Sequence, residues 1–597
     1  MRRYPLSALV PAAALALLAT ALPDNAAAQR MHVDGLIGEP PDVSNWPHPA
    51  APDGNPFPRS SASPSDLARR DAKVKLGKLL FWDEQVSIDN TMACGTCHIP
   101  ASGGTDPRDG LAPNGARGSM GVIPQAMNPA TGRVDYGFTN PSSPQIDRLV
   151  TGFFTPTMIG AYVFNRQFWD RRAGPDFDDG TGTMTPVPNF EDWAALEDQA
   201  VGPPVNDIEM GHQNMVWPTV EAKLNNSFPL ALVKPGTIPK DIKPLVDKCV
   251  PYRKLFDEVF FSDPQFGGNQ GVTRERFAMA IAHYERTLIP DKAPIDLGEM
   301  DDSQVRGFEI VRDSGCFFCH STSNNVVLTQ PGGVVADEFD NPFSDGQPHI
   351  IGINGNVKTP TLRNVGLRKR FFSDGLSAGG PDTLEGIITF YDEVQGGILG
   401  LDGSGPGGTL TDQEFKDVFS FLNDALTDPR VANEEFPFDK PELASERPEF
   451  EFESNEFGNG TAGPSGLVPE IIANAPPLVA KPNVSTVQTS WFKVGVGEAL
   501  GGATALLLVS DHPGYGPILW VGNNFHVAVS TTTNADGIAT AHTPFPLTTS
   551  TVGHTFYTQW AIDEGYGTAY SNAAKFTPFR FKCPKNKPID IQPQMAP

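Results

Sequence analysis

Long apolar runs are missing beyond the first 22 of the 597 residues, so no later segment is expected to cross a bilayer. Positive charge is short as well: 45 Lys and Arg stand against 70 Asp and Glu, a net charge of −25. Nucleic acid is thereby excluded as an expected partner, because phosphate binding needs clustered cations. A solvated acidic surface is the common meaning of that balance, and a surface for a basic redox partner is the other. Methionine is absent from 301 to 594 and histidine from 99 to 211, two absences that bear on iron ligation below. Cysteine is scarce, with 6 residues in all.

Four of those cysteines fall in two copies of one pattern, Cys94-Gly95-Thr96-Cys97-His98 and Cys316-Phe317-Phe318-Cys319-His320. In such a pentapeptide the two thiols add to haem vinyl groups and the adjacent imidazole reaches the iron as its proximal ligand. At this composition one copy would arise by chance roughly 0.001 times. A zinc site or a thioredoxin-like centre would not require a His directly after both pairs. The chain is therefore expected to hold two covalently bound c-type haems, with His98 and His320 on the irons. Cys249 and Cys583 are left over, as a disulfide or as two isolated thiols.

Arg2-Arg3, the apolar stretch 8–22 and Ala26-Ala27-Ala28 read as a secretory signal peptide over 1–28, which sends the mature chain to the periplasm or outside the cell. Residues 29–62 form a Pro-, Asp- and Ser-rich extended leader. Helical periodicity starts at Asp66 and leads into the first pentapeptide; a second helical zone covers 250–288, and 303–311 delivers the second pentapeptide. A last helix is expected over 412–425, with Thr411 as its N-cap. The Gly/Pro/Asn-rich excursion 101–147 is of the structureless kind that is usually functional or mobile. The expected fold is mainly α, with an N-terminal haem domain at 63–290 and a C-terminal one at 291–440. A linker at 441–480 and a small β-sandwich at 481–597 follow, the latter from β-type runs at 503–510, 525–531 and 555–562.

Leu76-Gly77-Lys78-Leu79-Leu80-Phe81-Trp82-Asp83 leading to the first pentapeptide resembles the bacterial di-haem cytochrome c peroxidase and MauG family. Phe168-Trp169-Asp170-Arg171-Arg172-Ala173, the stretch 199–210 ending in Glu209-Met210, Thr359-Pro360-Thr361-Leu362-Arg363-Asn364-Val365, Asp374-Gly375 and Thr383-Leu384-Glu385 follow in the family's order. The resemblance covers about residues 65–430 and implies two cytochrome c-like haem domains. One haem would meet peroxide and the other relay electrons, a division set by whether the sixth iron position is open or filled.

What the resemblance implies for single residues is specific. Glu209 matches the distal acid/base glutamate, and Gln199 and Pro203 match distal-pocket positions of MauG. Trp169 matches the tryptophan between the haems. Arg363 is expected to support a haem propionate or to hold a bidentate salt bridge. Tyr391 occupies the sixth-ligand position of the second haem, for which the methionine-free stretch leaves no local Met; a buried, hydrogen-bonded Tyr is the plain alternative, and His349 the other ligand candidate. With no His between His98 and His212, the first haem is expected to be open at rest, unless Met120 or Met127 of the long loop caps it. The family's inter-domain calcium ligand, an Asn, is replaced by Phe154, so calcium is doubtful unless backbone carbonyls near Thr359 recruit it with water.

The reading is an exported di-haem oxidoreductase that reduces hydrogen peroxide. Its electrons would come from a small cytochrome or cupredoxin, or from an oxidisable residue of a protein substrate. The rival is a non-catalytic di-haem electron carrier or redox sensor.

Overall fold

The computed structural model describes residues 64–576 apart from 113–114, 129–132, 138–147, 165, 175–176, 179–183, 186–193, 264–265, 315, 317–319, 321–347, 351–355, 374–379, 395–409, 447–455, 458, 474–492, 515–518, 523 and 543–553. The expected signal peptide and leader, Cys319, Asp374-Gly375 and Cys583 lie outside the described residues. The helices that position the site are α1 (Pro64–Phe81), α2 (Ala195–Ala200), α3 (Trp217–Asn226), α4 (Tyr252–Phe260), α5 (Arg274–Glu285), α6 (Asp302–Asp313), α7 (Leu384–Thr389) and α8 (Asp412–Ser420). No helix among the described residues is long and apolar enough to cross a membrane.

Two helix pairs organise two cores. Leu76, Leu79, Leu80 and Phe81 of α1 are fully buried in one cluster with Phe277, Ala280, Ile281 and Tyr284 of α5, and α3 and α4 pack into the same cluster. The α1–α5 crossing is set by Gly77, where a Cβ would stand 1.9 Å from the Ala280 carbonyl oxygen, so only glycine allows the backbones to approach this closely. The second core gathers Val305, Phe308 and Val311 of α6 with Leu384 and Ile388 of α7 and Val418 of α8. There Gly307 plays the same part, its Cβ position lying 1.9 Å from the Asp417 carbonyl oxygen. Each glycine-crossed helix, α1 and α6, is the one that precedes a haem pentapeptide. Thr411 caps α8 as expected, its hydroxyl accepting from the Glu414 N–H.

The excursion 101–147 is not structureless. It contains β1 (Gln125–Met127), paired antiparallel with β2 (Val134–Tyr136), and a shorter pair before it, Gly110–Leu111 with Arg117–Gly118.

The C-terminal region is made of β3 (Glu456–Phe457), β4 (Glu470–Ala473), β5 (Lys493–Gly497), β6 (Thr504–Ser510), β7 (His526–Thr532), β8 (Ala539–His542), β9 (Phe556–Asp563) and β10 (Thr568–Phe576). They form a five-stranded antiparallel sheet, β7-β6-β9-β10-β3, and a three-stranded one, β4-β5-β8. Val494 and Val496 from the small sheet share one core with Leu507, Val509, Trp560, Ile562 and Phe576 from the large one. β3 and β4 lie inside 441–480, so that stretch is not a pure linker: it adds an edge strand to each sheet. Cys249 is disulfide-bonded, while Cys94, Cys97 and Cys316 are free thiols, so its partner is among the residues outside the description.

Candidate functional site

A cavity of about 320 Å³ brings together residues that lie up to 191 positions apart in the chain: Cys94, Cys97 and His98 on one segment, Trp169 on another, Gln199 and Glu209 on a third, and Glu285 at the end of α5. Cys94–Cys97 forms a single helical turn, closed by the His98 N–H on the Cys94 carbonyl at 3.1 Å and by the Thr96 hydroxyl accepting from the Ala93 N–H at 2.9 Å. That turn brings both thiols to the cavity. Burial is the largest influence holding His98 down to a pKa of about 4, so its imidazole is neutral. Its Nδ1 lies 3.2 Å from the Gly104 carbonyl, which fixes Nδ1 as the donor and leaves Nε2 for a metal. Two free thiols and a neutral imidazole oriented in this way, lining one cavity, fit a c-type haem.

Gln199 closes the last turn of α2, and Pro203 lines the cavity after it. The Asn206 carboxamide oxygen accepts from the N–H groups of Ile208 at 2.9 Å and Glu209 at 3.0 Å, a local turn that sets Glu209 against the cavity. Burial pushes the Glu209 carboxyl above the ordinary range, with the Arg172 guanidinium opposing. Trp169 donates from its indole to the Phe154 carbonyl at 2.7 Å, and its own carbonyl accepts from the Lys358 N–H at 2.8 Å. Trp169 thus joins the cavity to the strand that runs into Thr359 and Arg363. Of the two loop methionines, Met120 lines the cavity and Met127 is 51% exposed.

The second site is described in part. The His320 N–H donates to the Cys316 carbonyl at 2.9 Å, while Cys319 lies outside the described residues. Tyr391 sits in the helical turn Phe390–Val394 that continues α7, half-buried, with ring centroids 5.5 Å from Phe390 and 6.5 Å from Phe372. His349 is in a short strand, Pro348–Ile350, paired with Asn356–Lys358. Arg363 was expected to support a haem propionate or to hold a bidentate salt bridge, and the structure shows the second contact. Its buried fork holds Asp296 through two bonds of 2.8 and 2.6 Å and reaches the Pro290 carbonyl at 3.0 Å, a bidentate salt bridge.

Glu285 is the residue that sequence reasoning missed. It lines the cavity, it is 4% exposed, and its Oε2 has no hydrogen-bond partner among the described residues. Burial raises its carboxyl to a pKa of about 8, Arg286 opposing and Glu197 reinforcing. In an unfolded chain the same group titrates near the ordinary carboxylate value, so folding takes up a proton as pH rises between the two values. Its contribution to stability is therefore full at acid pH and falls as pH rises to about 8. In thermal melts followed at the Soret band, Glu285→Gln should flatten that decline; an unchanged slope would place the titration elsewhere.

Residues 71–304 match the family model described as di-haem cytochrome c peroxidase. Cytochrome c peroxidase Ccp of Escherichia coli (strain K12) is 26% identical over 382 residues, which are 60% of this chain and 59% of that protein. Methylamine utilization protein MauG of Methylophilus methylotrophus is 24% identical over 367 residues, 57% of this chain and 76% of its own. A solved MauG-like protein associated with microbial copper homeostasis aligns with 67% of this chain and 98% of its own at 19% identity, with a TM-score of 0.38. The chain thus spans less than two-thirds of the length of the Escherichia coli relative. The first pentapeptide and the cavity residues Trp169, Gln199 and Glu209 all fall inside residues 71–304, the stretch that is similar to di-haem cytochrome c peroxidase.

Proposed function

We propose that the protein is an exported di-haem c-type oxidoreductase that reduces hydrogen peroxide at the haem held by Cys94, Cys97 and His98. The supporting observation is the convergence of those three residues, Glu209, Gln199 and Trp169 on one cavity. A bound haem supplies an iron through which electrons reach peroxide. The net conversion takes one H2O2, two electrons and two protons to two waters, so the protein's own task is largely proton handling. Glu209 takes the proton from one peroxide oxygen at a carboxylate oxygen and returns it to the other; a carboxyl whose pKa burial raises suits a group that must both hold and release a proton. Gln199 orients peroxide through its carboxamide. Trp169 relays electrons between the two haem sites, the second of which would be held by Cys316, His320 and Tyr391. The reductant is a small cytochrome or cupredoxin, or an oxidisable residue of a partner protein.

The test is an electron paramagnetic resonance spectrum of the ferric protein before and after stoichiometric peroxide. One high-spin and one low-spin haem, both signals lost on addition, is the expected result. Two low-spin haems indifferent to peroxide would favour the carrier or sensor reading. Tyr391→Phe should alter the low-spin signal alone, and an unaltered spectrum would remove Tyr391 as a ligand.

A further inference from the structure

The C-terminal β region grips the long loop of the first haem domain through one face of its small sheet. Lys493 of β5 is 4% exposed, and its Nζ donates to the Gln125 carboxamide oxygen at 2.5 Å and the Val134 carbonyl at 2.9 Å while lying 4.6 Å from the Tyr136 ring centroid. On β8, the Thr540 hydroxyl accepts from the Tyr136 N–H at 2.9 Å, and His542 Nε2 meets Asp135 Oδ1 at 2.6 Å. Ile472 of β4 and Ile538 close a buried cluster with Ile123 and Tyr136. Three strands of the sheet therefore hold both strands of the β1–β2 hairpin.

The opposite edge of that hairpin carries the segment with the cavity glutamate. The Gln125 carbonyl accepts from the Gln213 N–H at 3.0 Å, and Ala126 pairs in parallel with Gln213. Just upstream, the Val122 N–H donates to the Ile208 carbonyl at 3.0 Å. These ties fall on both sides of Glu209. Gln125 is thus held through its side chain by the β region and through its carbonyl by the Glu209 segment. A buried amino group with two oxygen acceptors and an aromatic face is a costly arrangement to leave unmade.

We infer that the β region is an intramolecular clamp, in which Lys493 is a positioning residue that fixes the β1–β2 hairpin and through it the 208–213 segment that presents Glu209 to the cavity. The consequence for turnover rests on the acid/base reading of Glu209; the mechanical link does not.

The experiment compares full-length holoprotein with Lys493→Met, His542→Asn and Glu564→Gln, the last altering a β-region carboxylate that binds Ser465 instead of the hairpin. Hydrogen exchange read by mass spectrometry should rise at least about tenfold in 122–127 and 208–213 for Lys493→Met and His542→Asn, and not for Glu564→Gln. The limb of the peroxide-rate pH profile that belongs to Glu209 should move down toward the ordinary carboxylate value in the first two variants, as the loosened segment admits water. Unchanged exchange at 208–213 in both interface variants overturns the clamp. If Lys493→Met unfolds the β region, His542→Asn, which touches a single half-buried contact with Asp135, decides alone. Raised exchange together with an unmoved pH limb keeps the clamp and removes the acid/base role of Glu209.

Discussion

Glu209→Gln should slow peroxide-dependent oxidation by about 10²–10⁴-fold, the range that a positioned acid/base group contributes, while both haems remain bound. The substitution keeps the shape of the side chain and its capacity to hydrogen-bond, and removes only the ability to take and return a proton. The backbone that places residue 209 does not depend on the carboxyl, because the turn is built by the Asn206 carboxamide oxygen on two N–H groups. The proposed haem attachment uses Cys94, Cys97 and His98, which lie on a separate segment. Stopped-flow mixing with peroxide measures the effect, and a pyridine haemochrome assay checks the cofactor. A rate within threefold of the native protein, at full haem content, would transfer the proton work to another group, and Glu285 is the other carboxyl in the cavity.

The parts of this site that were legible in the sequence are those whose chemistry dictates a local pattern. Cys-x-x-Cys-His needs adjacent residues because one helical turn must carry both thiols and the imidazole, so the pentapeptide is visible without any fold. Thr411 was legible for the same reason, since an N-cap acts within three residues. Glu209, Gln199 and Trp169 were found through resemblance, because nothing local distinguishes a glutamate lining a cavity from a solvated one. Glu285 escaped both routes. It follows the apolar run of α5, and the neighbouring Glu285-Arg286 dipeptide does not say which side chain faces the cavity and which pairs with α2. The strands β5, β8 and β10 were missed because Lys-Val-Gly-Val-Gly, Ala-Thr-Ala-His and the run of β10 interrupt their β-branched and aromatic residues with Gly, Ala or Asn; their place is decided by packing against Trp560 and its neighbours. The 441–480 composition likewise suggested a linker, yet β3 and β4 are taken up as edge strands by sheets formed elsewhere.

Arg286→Met should destabilise the first haem domain by about 3–5 kcal/mol, the cost of removing one partner of a buried ion pair. Arg286 and Glu197 are 2% and 0% exposed, and the guanidinium grips both carboxylate oxygens at 2.7 and 2.8 Å. This pair bolts α2 to α5. Without it, Glu197 would be an uncompensated charge next to Glu285, whose carboxyl is already raised by burial and by Glu197. The double variant Glu197→Leu/Arg286→Met removes both charges and replaces them with apolar volume, which is expected to return most of the loss. Urea unfolding followed at the Soret band distinguishes these cases: a single variant that unfolds early and a double variant near the native midpoint identify the pair as structural. If the double variant is instead stable but slow with peroxide, then α2 is still folded and Glu197 and Arg286 act on the chemistry, through Gln199 two residues from Glu197 or through the protonation of Glu285.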